Sequence, residues 1–408
     1  MSRISFTSRF LLFAVVASLL TATFVAPFAA LAQSRRQPPT QSQKKNQRPG
    51  DTPKRDGEQQ EEPPPADILK TPPGQDEIVK VTANLVNIEA VVYQKKTGQI
   101  VQGLKKENFA IFEDGVQQSI TNFSTPEAPI TVAMVLEFSR LTERIGGNQF
   151  EPGRYEVLRP MAFFLSRFIR PPDDYVAVIA YDIRPTPITD FTNDPRRISE
   201  TVNLLLRNRP ASSEANLFDA LKLTLMGGRG DSVVLEDSEQ EKSDYAGLSE
   251  LQGRRRAVFL VSSGIDTFSK INYDEALKIA RNAGVPIYII GTGNLFFKRF
   301  DNQLGPLDTL TGLPGRMTFL QAQNALRTFA QESGGAYFPV TFEGELNSVL
   351  TSINNLMRNQ YSLGYNPGER RDGKKHKIEV KVDVDGDGQF DDKVYRINHR
   401  QFYVAPKA

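Results

Sequence analysis

The fold is decided by one stretch of sequence, Ile130-Thr131-Val132-Ala133-Met134-Val135-Leu136, in which every residue is apolar or β-branched. A strand has this composition when both of its faces are covered, as in a parallel sheet between two layers of helices. Residues 257–261 and 286–290 repeat the pattern farther along the chain. Segments with helical signals separate these strands, which is the alternation of a doubly wound fold. We therefore predict an α/β block with a mostly parallel sheet over residues 129–359.

On both sides of this block the sequence has the period of two that is typical of strands. Residues 78–93 are rich in β-branched side chains, and residues 376–382 alternate between polar and apolar ones. Neither flank has enough strands to be stable alone. We therefore predict one small all-β domain of the sandwich type, which is discontinuous and formed by residues 76–128 and 360–408. The α/β block is inserted into it.

The N-terminal segment has the anatomy of an export signal. Arg3 and Arg9 precede an apolar run over residues 10–26, and Ala30-Leu31-Ala32 follows it. This order predicts a secretory signal peptide over residues 1–32. An uncleaved anchor is the alternative, because the apolar run is nearly long enough to span a bilayer. No later stretch is long enough, so we expect no membrane span after cleavage. The folded part would then lie in the periplasm, the cell envelope or the extracellular space.

Residues 33–75 form a different kind of segment. They are rich in Pro, Gln and charged residues and contain very few apolar ones. Such a composition cannot form a core, because it offers too little surface to bury. We interpret this stretch as an extended, solvated linker between the export signal and the folded part.

The composition excludes several classes of protein. Lys and Arg number 50 against 48 Asp and Glu, so the chain lacks the basic field of a nucleic-acid-binding protein. There is no Cys, which excludes thiolate zinc sites and cysteine nucleophiles. The two histidines, His376 and His399, fall outside the α/β block, and no Gly-x-Ser-x-Gly motif occurs. We therefore expect no enzymatic activity; a hydrolase with an unrecognised site is the weaker alternative.

Several short motifs follow one another in a characteristic order. They lie at residues 107–115, 136–139, 216–220, 260–266, 333–338 and 361–365. Their order and spacing over residues 77–408 resemble the von Willebrand factor A domain, and more narrowly the exported VWFA-related acidobacterial proteins. This resemblance implies a protein-binding module that uses the loops at the C-terminal edge of its sheet. It also implies a metal-ion-dependent adhesion site at that edge.

The residues at the implied adhesion site depart from the family pattern. The family has Asp-x-Ser-x-Ser on the first loop, where this chain has Glu137 and Ser139 but lacks the last Ser. The Thr position falls on Ala215, and the second Asp position falls on Ser263. A hard divalent cation needs several oxygen ligands and carboxylates that offset its charge. Arg140 adds a charge of the wrong sign. We therefore expect these loops to bind a protein partner without a metal ion.

A better metal candidate occurs near the C-terminus in the loop of residues 383–392, of which residues 383–391 match the first nine positions of an EF-hand calcium loop. The carboxylates are Asp383, Asp385, Asp387 and Asp391, and Gln389 offers its backbone carbonyl. The twelfth position, which needs a bidentate Glu, falls on Val394, so Asp392 or water must complete the shell. We predict a structural calcium ion that stabilises the last hairpin. A polar hairpin turn without metal is the alternative.

Three weaker signals receive ordinary interpretations. Arg229-Gly230-Asp231 matches an integrin-recognition tripeptide, but we interpret it as chance within a Gly-rich loop. Asp182 is interpreted as a surface cap at the end of a strand. The apolar run at residues 296–300 is either an exposed patch, which would mark a partner site, or a loop packed on its own core.

The sequence as a whole predicts an exported, non-enzymatic module that binds another protein through the loops near Glu137, Ala215 and Ser263. A structural or assembly component of the cell envelope, which pairs strands through the β domain, is the alternative from another class.

Overall fold

The computed structural model describes residues 85–145, 153–232, 241–251, 254–300, 302, 304–309 and 314–407. The predicted signal peptide and linker, and the first residues of the predicted β domain, lie outside this part of the chain. Among the described residues no helix is both long and apolar enough to cross a membrane.

The strands alternate with helices from residue 130 to residue 358. The strands are β1 Val86–Gln94, β2 Phe109–Glu113, β3 Val116–Gln118, β4 Ile120–Ser124, β5 Ile130–Glu137, β6 Tyr175–Tyr181, β7 Pro185–Thr192, β8 Gly228–Ser232, β9 Glu241–Tyr245, β10 Arg255–Ser262, β11 Ile287–Gly291, β12 Ala336–Pro339, β13 Tyr361–Tyr365, β14 Lys375–Val382, β15 Tyr395–Asn398 and β16 Phe402–Val404. The helices are α1 Arg140–Ile145, α2 Tyr155–Arg167, α3 Pro195–Arg207, α4 Leu217–Met226, α5 Tyr273–Ala283, α6 Gly293–Phe300, α7 Arg316–Ser333 and α8 Leu346–Arg358.

The central sheet has six strands in the order β12-β11-β10-β5-β6-β7. All neighbours are parallel except β7, which runs antiparallel to β6 at the edge of the sheet. Numbered along the chain, this is the order 3-2-1-4-5-6 of a doubly wound fold. The predicted α/β class with a mostly parallel sheet is thereby confirmed. Pro185 and Pro187 fit an edge strand, because proline has no backbone N–H to donate and is tolerated where one side of the strand is unpaired.

Helices cover both faces of this sheet, as the composition of β5 requires. All eight residues of β5 are buried. Val132, Met134 and Leu136 pack toward α2, α3 and α8, whereas Ala133 and Val135 pack toward α4, α5 and α7. The alternation of side chains along a strand therefore divides the core into two apolar layers.

The flanking strands form two antiparallel sheets of four strands each, ordered β15-β1-β13-β4 and β16-β14-β2-β3. Each sheet joins strands from before and after the α/β block. Val86 of β1 lies opposite Tyr365 of β13, and Glu113 of β2 lies opposite Ile378 of β14. A third apolar cluster, with Ile88 among its members, is formed by residues of both sheets.

The structure shows the positions of two of the weaker sequence signals, residues 296–300 and residues 229–231. Residues 296–300 belong to helix α6 and pack on the core, with the ring of Phe296 5.3 Å from that of Phe319. The alternative of an exposed patch at this run is therefore wrong. Residues 229–231 lie within strand β8, which pairs with β9 as a two-stranded hairpin.

Buried arginines hold the N-terminal edge of the central sheet. Arg255 at the start of β10 is almost completely buried and donates to the carbonyls of Pro126 (2.6 Å), Ala128 (2.9 Å) and Met357. Arg358 at the end of α8 pairs with the carboxylate of Asp174. A buried charge needs hydrogen-bond partners, and both terminal nitrogens of Arg255 have them, although its Nε has none. These contacts tie the segment before β5, the start of β10 and the end of α8 together.

We predict that Phe259→Ala destabilises the protein by about 3–5 kcal/mol, because it leaves a cavity between the sheet and α2. Phe259 is completely buried in β10 and stacks on Phe164 at a ring distance of 4.6 Å. Urea unfolding followed by circular dichroism measures the change. The matched control is Leu204→Ala, at a partly exposed position on α3, which should change stability by no more than about 0.5 kcal/mol. Equal effects of the two substitutions would contradict the assigned core.

Candidate functional site

The candidate site lies where the direction of chain winding changes, between the neighbouring strands β5 and β10. After β5 the chain passes to the helices of one layer, and after β10 it passes to α5 of the other. Open α/β sheets bind their ligands at the C-terminal ends of the strands beside such a point. Glu137 is the last residue of β5, and Ser263 directly follows the last residue of β10. The topology therefore brings two of the four predicted site residues together.

One oxygen of Glu137 accepts three hydrogen bonds. Its Oε2 accepts from the backbone N–H of Ser263 (2.7 Å), the hydroxyl of Ser263 (2.8 Å) and the hydroxyl of Ser262 (3.1 Å). Tyr181 extends this network by donating its hydroxyl proton to Ser262 Oγ at 2.8 Å. The carboxyl group of Glu137 is thus surrounded by donors from the protein itself.

Two other polar atoms of the site are buried and have no hydrogen-bond partner among the described residues. Glu137 Oε1 and Ser139 Oγ are both in this state, and both residues are completely buried. Burial raises the pKa of Glu137, because desolvation of the carboxylate outweighs the three donated hydrogen bonds. The pKa of Tyr181 is also raised well above its usual value, by burial and by the nearby Glu137. The neutral form of Glu137 therefore persists to a higher pH than that of an exposed glutamate.

Ala215 contributes a buried methyl group where the family pattern has a hydroxyl. Its backbone N–H donates to Thr267 Oγ1, and its carbonyl accepts from the N–H of Thr267, both at 2.8 Å. The contact holds the loop before α4 against the loop after β10. Ala215 thus belongs to the same edge of the sheet, but it offers no side-chain ligand.

Sequence reasoning did not predict that the carboxylates around the site accept hydrogen bonds from backbone N–H groups of the loops. Asp266 accepts from the N–H groups of Leu217 (2.9 Å) and Phe218 (3.3 Å), at the start of α4. Asp219 in turn accepts from the N–H of Lys270 at 3.0 Å. Asp182 was predicted to be a surface cap; it does cap the N–H of Ser212 (3.1 Å), but it is completely buried. Burial raises its pKa to about 6. These acidic side chains fix the loops at this edge of the sheet by accepting hydrogen bonds from backbone N–H groups.

A set of exposed apolar side chains surrounds this edge of the sheet. Half of the ten large apolar residues that are exposed in the described part of the chain lie on the segments that follow β10, β11 and β12. They are Phe268, Leu307, Met317, Leu320 and Phe342, and we call them the apolar rim. Large exposed apolar patches are uncommon on soluble proteins and mark interaction sites. Leu307 is the most exposed, at 74%.

The segment that carries Leu307 is fixed to the start of α7. Asp308 Oδ1 accepts from the N–H of Gly315 (2.7 Å) and from the hydroxyl of Thr318 (2.6 Å). The N–H of Met317 donates to the carbonyl of Pro306 at 3.1 Å. The exposed leucine is therefore held in a defined position, which reduces the entropy lost when a partner binds.

The acidic loop after β14 forms the second candidate site. Carboxylate oxygens of Asp383, Asp385 and Asp391 lie within 4.8 Å of one another. Asp383 also accepts from the N–H groups of Gly386 (2.7 Å) and Gly388 (2.8 Å), both of which have positive φ. Three of the four predicted carboxylates are thus brought together.

The remaining two predicted ligands of this loop contact each other instead. Asp387 lies outside the group of three, and its Oδ1 accepts from the N–H of Gln389 at 2.8 Å. We expected this loop to close a hairpin, but it does not. It connects β14 to β15, which belong to different antiparallel sheets. The pairing of β15 with β1 accounts for this difference.

Comparisons with known proteins give matches at the level of structure. No family model and no curated protein matches the chain. Proximal thread matrix protein 1 from the mussel byssus is similar to it with 13% identity and a TM-score of 0.38, over 60% of this chain and 50% of that one. An aerotolerance-related membrane protein from Bacteroides fragilis matches with 15% identity and a TM-score of 0.37, over 56% and 98% of the two chains.

A third match is the vWF domain of the type V pili tip protein Mfa5 from Porphyromonas gingivalis, with 13% identity and a TM-score of 0.33. It covers 57% of this chain and 95% of that one. This domain bears the name of the family that the sequence motifs resemble. The chain spans about half the length of the mussel protein.

We predict that Glu137→Gln increases stability at neutral pH. Burial raises the pKa of Glu137 in the folded chain above the ordinary value of 4.5 that it has in the unfolded chain. The wild type therefore loses stability as the pH rises from about 4.5 through the raised pKa of the folded state. Glutamine cannot ionise, so the advantage of the variant should grow from pH 4 to pH 7. Urea midpoints at both pH values measure it. Glu200→Gln, at an exposed position on α3, is the control. An advantage that does not change with pH would contradict a neutral Glu137.

Proposed function

We propose that this protein is an exported, non-enzymatic binding module that recognises another protein through the apolar rim. The observation that carries the proposal is the concentration of exposed apolar side chains at the C-terminal edge of the central sheet. In open α/β folds this edge is where ligands bind. The fixed position of Leu307 supports recognition of a defined surface.

We propose that recognition takes place without a metal ion at Glu137. Three hydrogen atoms point at Glu137 Oε2, from the backbone and hydroxyl of Ser263 and from Ser262. A divalent cation near this oxygen would be repelled by these donors, and the nearby carboxylate of Asp266 already accepts from the N–H groups of Leu217 and Phe218. Ser139 adds a single buried hydroxyl, and Ala215 adds none. The partner would therefore contact the rim directly.

The antiparallel sheets suggest a second candidate function, in assembly of the cell envelope. The edge strand β3 exposes Val116, which is 64% accessible. An exposed edge strand can add a strand from another chain.

We also propose that residues 76–128 and 360–408 form one β domain, into which the α/β block is inserted. We propose that the folded protein lies in the periplasm, in the cell envelope or outside the cell.

We predict that Leu307→Asp abolishes partner binding, whereas Val116→Asp leaves it intact. A charge at the most exposed position of the rim must be desolvated when the rim is covered, which should weaken binding at least about tenfold. Crosslinking of the full chain in cells, followed by mass spectrometry, measures the yield of the partner. Both substitutions are at exposed positions, so neither should affect folding. Added Mg²⁺ should leave the yield unchanged.

The two variants also discriminate between the functions. Loss of the partner in Val116→Asp but not in Leu307→Asp would support the assembly function and refute recognition by the rim. A partner yield that depends on Mg²⁺ would refute the metal-free mechanism.

We further propose that the 383–392 loop binds a structural calcium ion, which would hold β14 and β15 at a fixed separation. Calorimetric titration of the chain with Ca²⁺ should give binding heat, and the double variant Asp385→Ala, Asp387→Ala should give none, because two carboxylates are lost. Asp244→Ala, at an exposed acid outside the loop, is the control. Absence of binding heat in the wild type would favour the polar turn without metal.

A further inference from the structure

A cluster of titratable side chains lies in the antiparallel sheets, and none of its members belongs to the apolar rim or to the acidic loop that follows β14. Glu113 and Asp114 come from the turn between β2 and β3, and His376 comes from β14. Ligand atoms of these three residues lie within 4.8 Å of one another. Arg370 and Asp372, from the loop before β14, complete the cluster.

Both ring nitrogens of His376 face carboxylates. Nε2 lies 3.1 Å from Asp372 Oδ1, and Nδ1 lies 2.7 Å from Asp114 Oδ2. A neutral imidazole has one N–H and one lone pair. If Nε2–H donates to Asp372, then the lone pair of Nδ1 points at a carboxylate oxygen. That arrangement needs a cation or a second proton between the two atoms.

A histidine that donates one N–H to a carboxylate and turns its other nitrogen inward is the arrangement found around metal ions in proteins. In this cluster Asp372 is the outer carboxylate, and Asp114 and Glu113 are on the inner side. His376 is buried, which limits the rotation of its ring. Its Nδ1 is therefore directed at one fixed place.

Glu113 supplies an independent sign of a missing ligand. It is 2% exposed, and its Oε1 accepts from the hydroxyl of Tyr403 at 3.0 Å. Its Oε2 is buried without a hydrogen-bond partner. A buried carboxylate oxygen in this state is costly; a bound cation would satisfy it, and so would the hydroxyl of Tyr365, which interacts with Glu113.

Arg370 is the permanently charged cation among the described contacts of Glu113. Its Nη1 lies 2.6 Å from Glu113 Oε1, 3.4 Å from Asp114 Oδ2 and 2.9 Å from His376 Nδ1. This side chain is 40% exposed, so it can move into solvent at little cost. When Nδ1 carries a lone pair it accepts from Arg370, and in that form it can also bind a metal.

We propose that Glu113, Asp114 and His376 form a binding site for a first-row divalent cation of the zinc type, for which Arg370 competes. One imidazole nitrogen with carboxylate oxygens is a donor set that zinc accepts. The bound ion would tie the β2–β3 turn to β14. This inference does not depend on the proposed function of the apolar rim.

The test is calorimetric titration of the purified, chelator-treated chain with Zn²⁺, in a buffer that contains Ca²⁺ to occupy the acidic loop. The wild type should bind one zinc ion, and His376→Ala and Asp114→Asn should not bind it. Asn accepts the positive φ of 49° at position 114, so this variant should keep the turn intact. Asp372→Asn should weaken binding by about 10- to 100-fold, since it removes the outer carboxylate.

Arg370→Ala separates a metal site from an ordinary ion-pair network. It should bind zinc more tightly than the wild type, because the competing cation is removed. Asp385→Ala, in the acidic loop, should bind zinc as the wild type does. Circular dichroism checks that every variant is folded.

Two results would overturn the proposal. In the first, the wild type binds no zinc, even if Arg370→Ala does; His376 is then an imidazolium that bridges the two aspartates, or Arg370 is the resident cation. In the second, zinc binding persists in both folded variants, His376→Ala and Asp114→Asn, which would place the ion elsewhere.

Discussion

A parallel strand that is buried on both faces, as β5 is, can place its polar groups only at its two ends. At its start, the N–H of Ile130 donates to the carboxylate of Asp174, which also pairs with Arg358. At its end stands Glu137 with its hydroxyl and backbone donors. The two helical layers follow from the need to cover β5. The buried arginine contacts therefore lie at the N-terminal edge, and the hydrogen bonds of Glu137 lie at the C-terminal edge, where the proposed recognition takes place.

The length of the Glu137 side chain accounts for the character of this edge. Glutamate has one methylene more than the aspartate of the family pattern, and its carboxyl group reaches Ser262 and Ser263 across the sheet. The donors of Ser262 and Ser263 enclose one oxygen of this carboxyl group. In the proposed function, the partner therefore binds the apolar rim around this site.

The sequence predicted what depends on local pattern. The continuous runs at β5, β10 and β11 identified the sheet and its class. The outcome for residues 296–300 could not be predicted, because a short apolar run fits a helix and a loop equally well. The contacts of Asp266 with Leu217 and of Asp114 with His376 join residues 49 and 262 positions apart. A single sequence carries no signal for such pairs. The separation of β14 and β15 into different sheets could not be predicted for the same reason, because β15 pairs with β1, which is distant in sequence.

The absence of Cys from the sequence gives the two acidic clusters a common interpretation. One of the antiparallel sheets ends on both sides in a strand of three residues, β3 and β16, and such short strands offer few ladder hydrogen bonds. Small sheets of this kind are commonly held by disulfides or metal ions. The acidic loop joins the two sheets, and the cluster at His376 joins a hairpin turn to the strand beside it. Cations at these two positions would supply the crosslinks that cysteine does not.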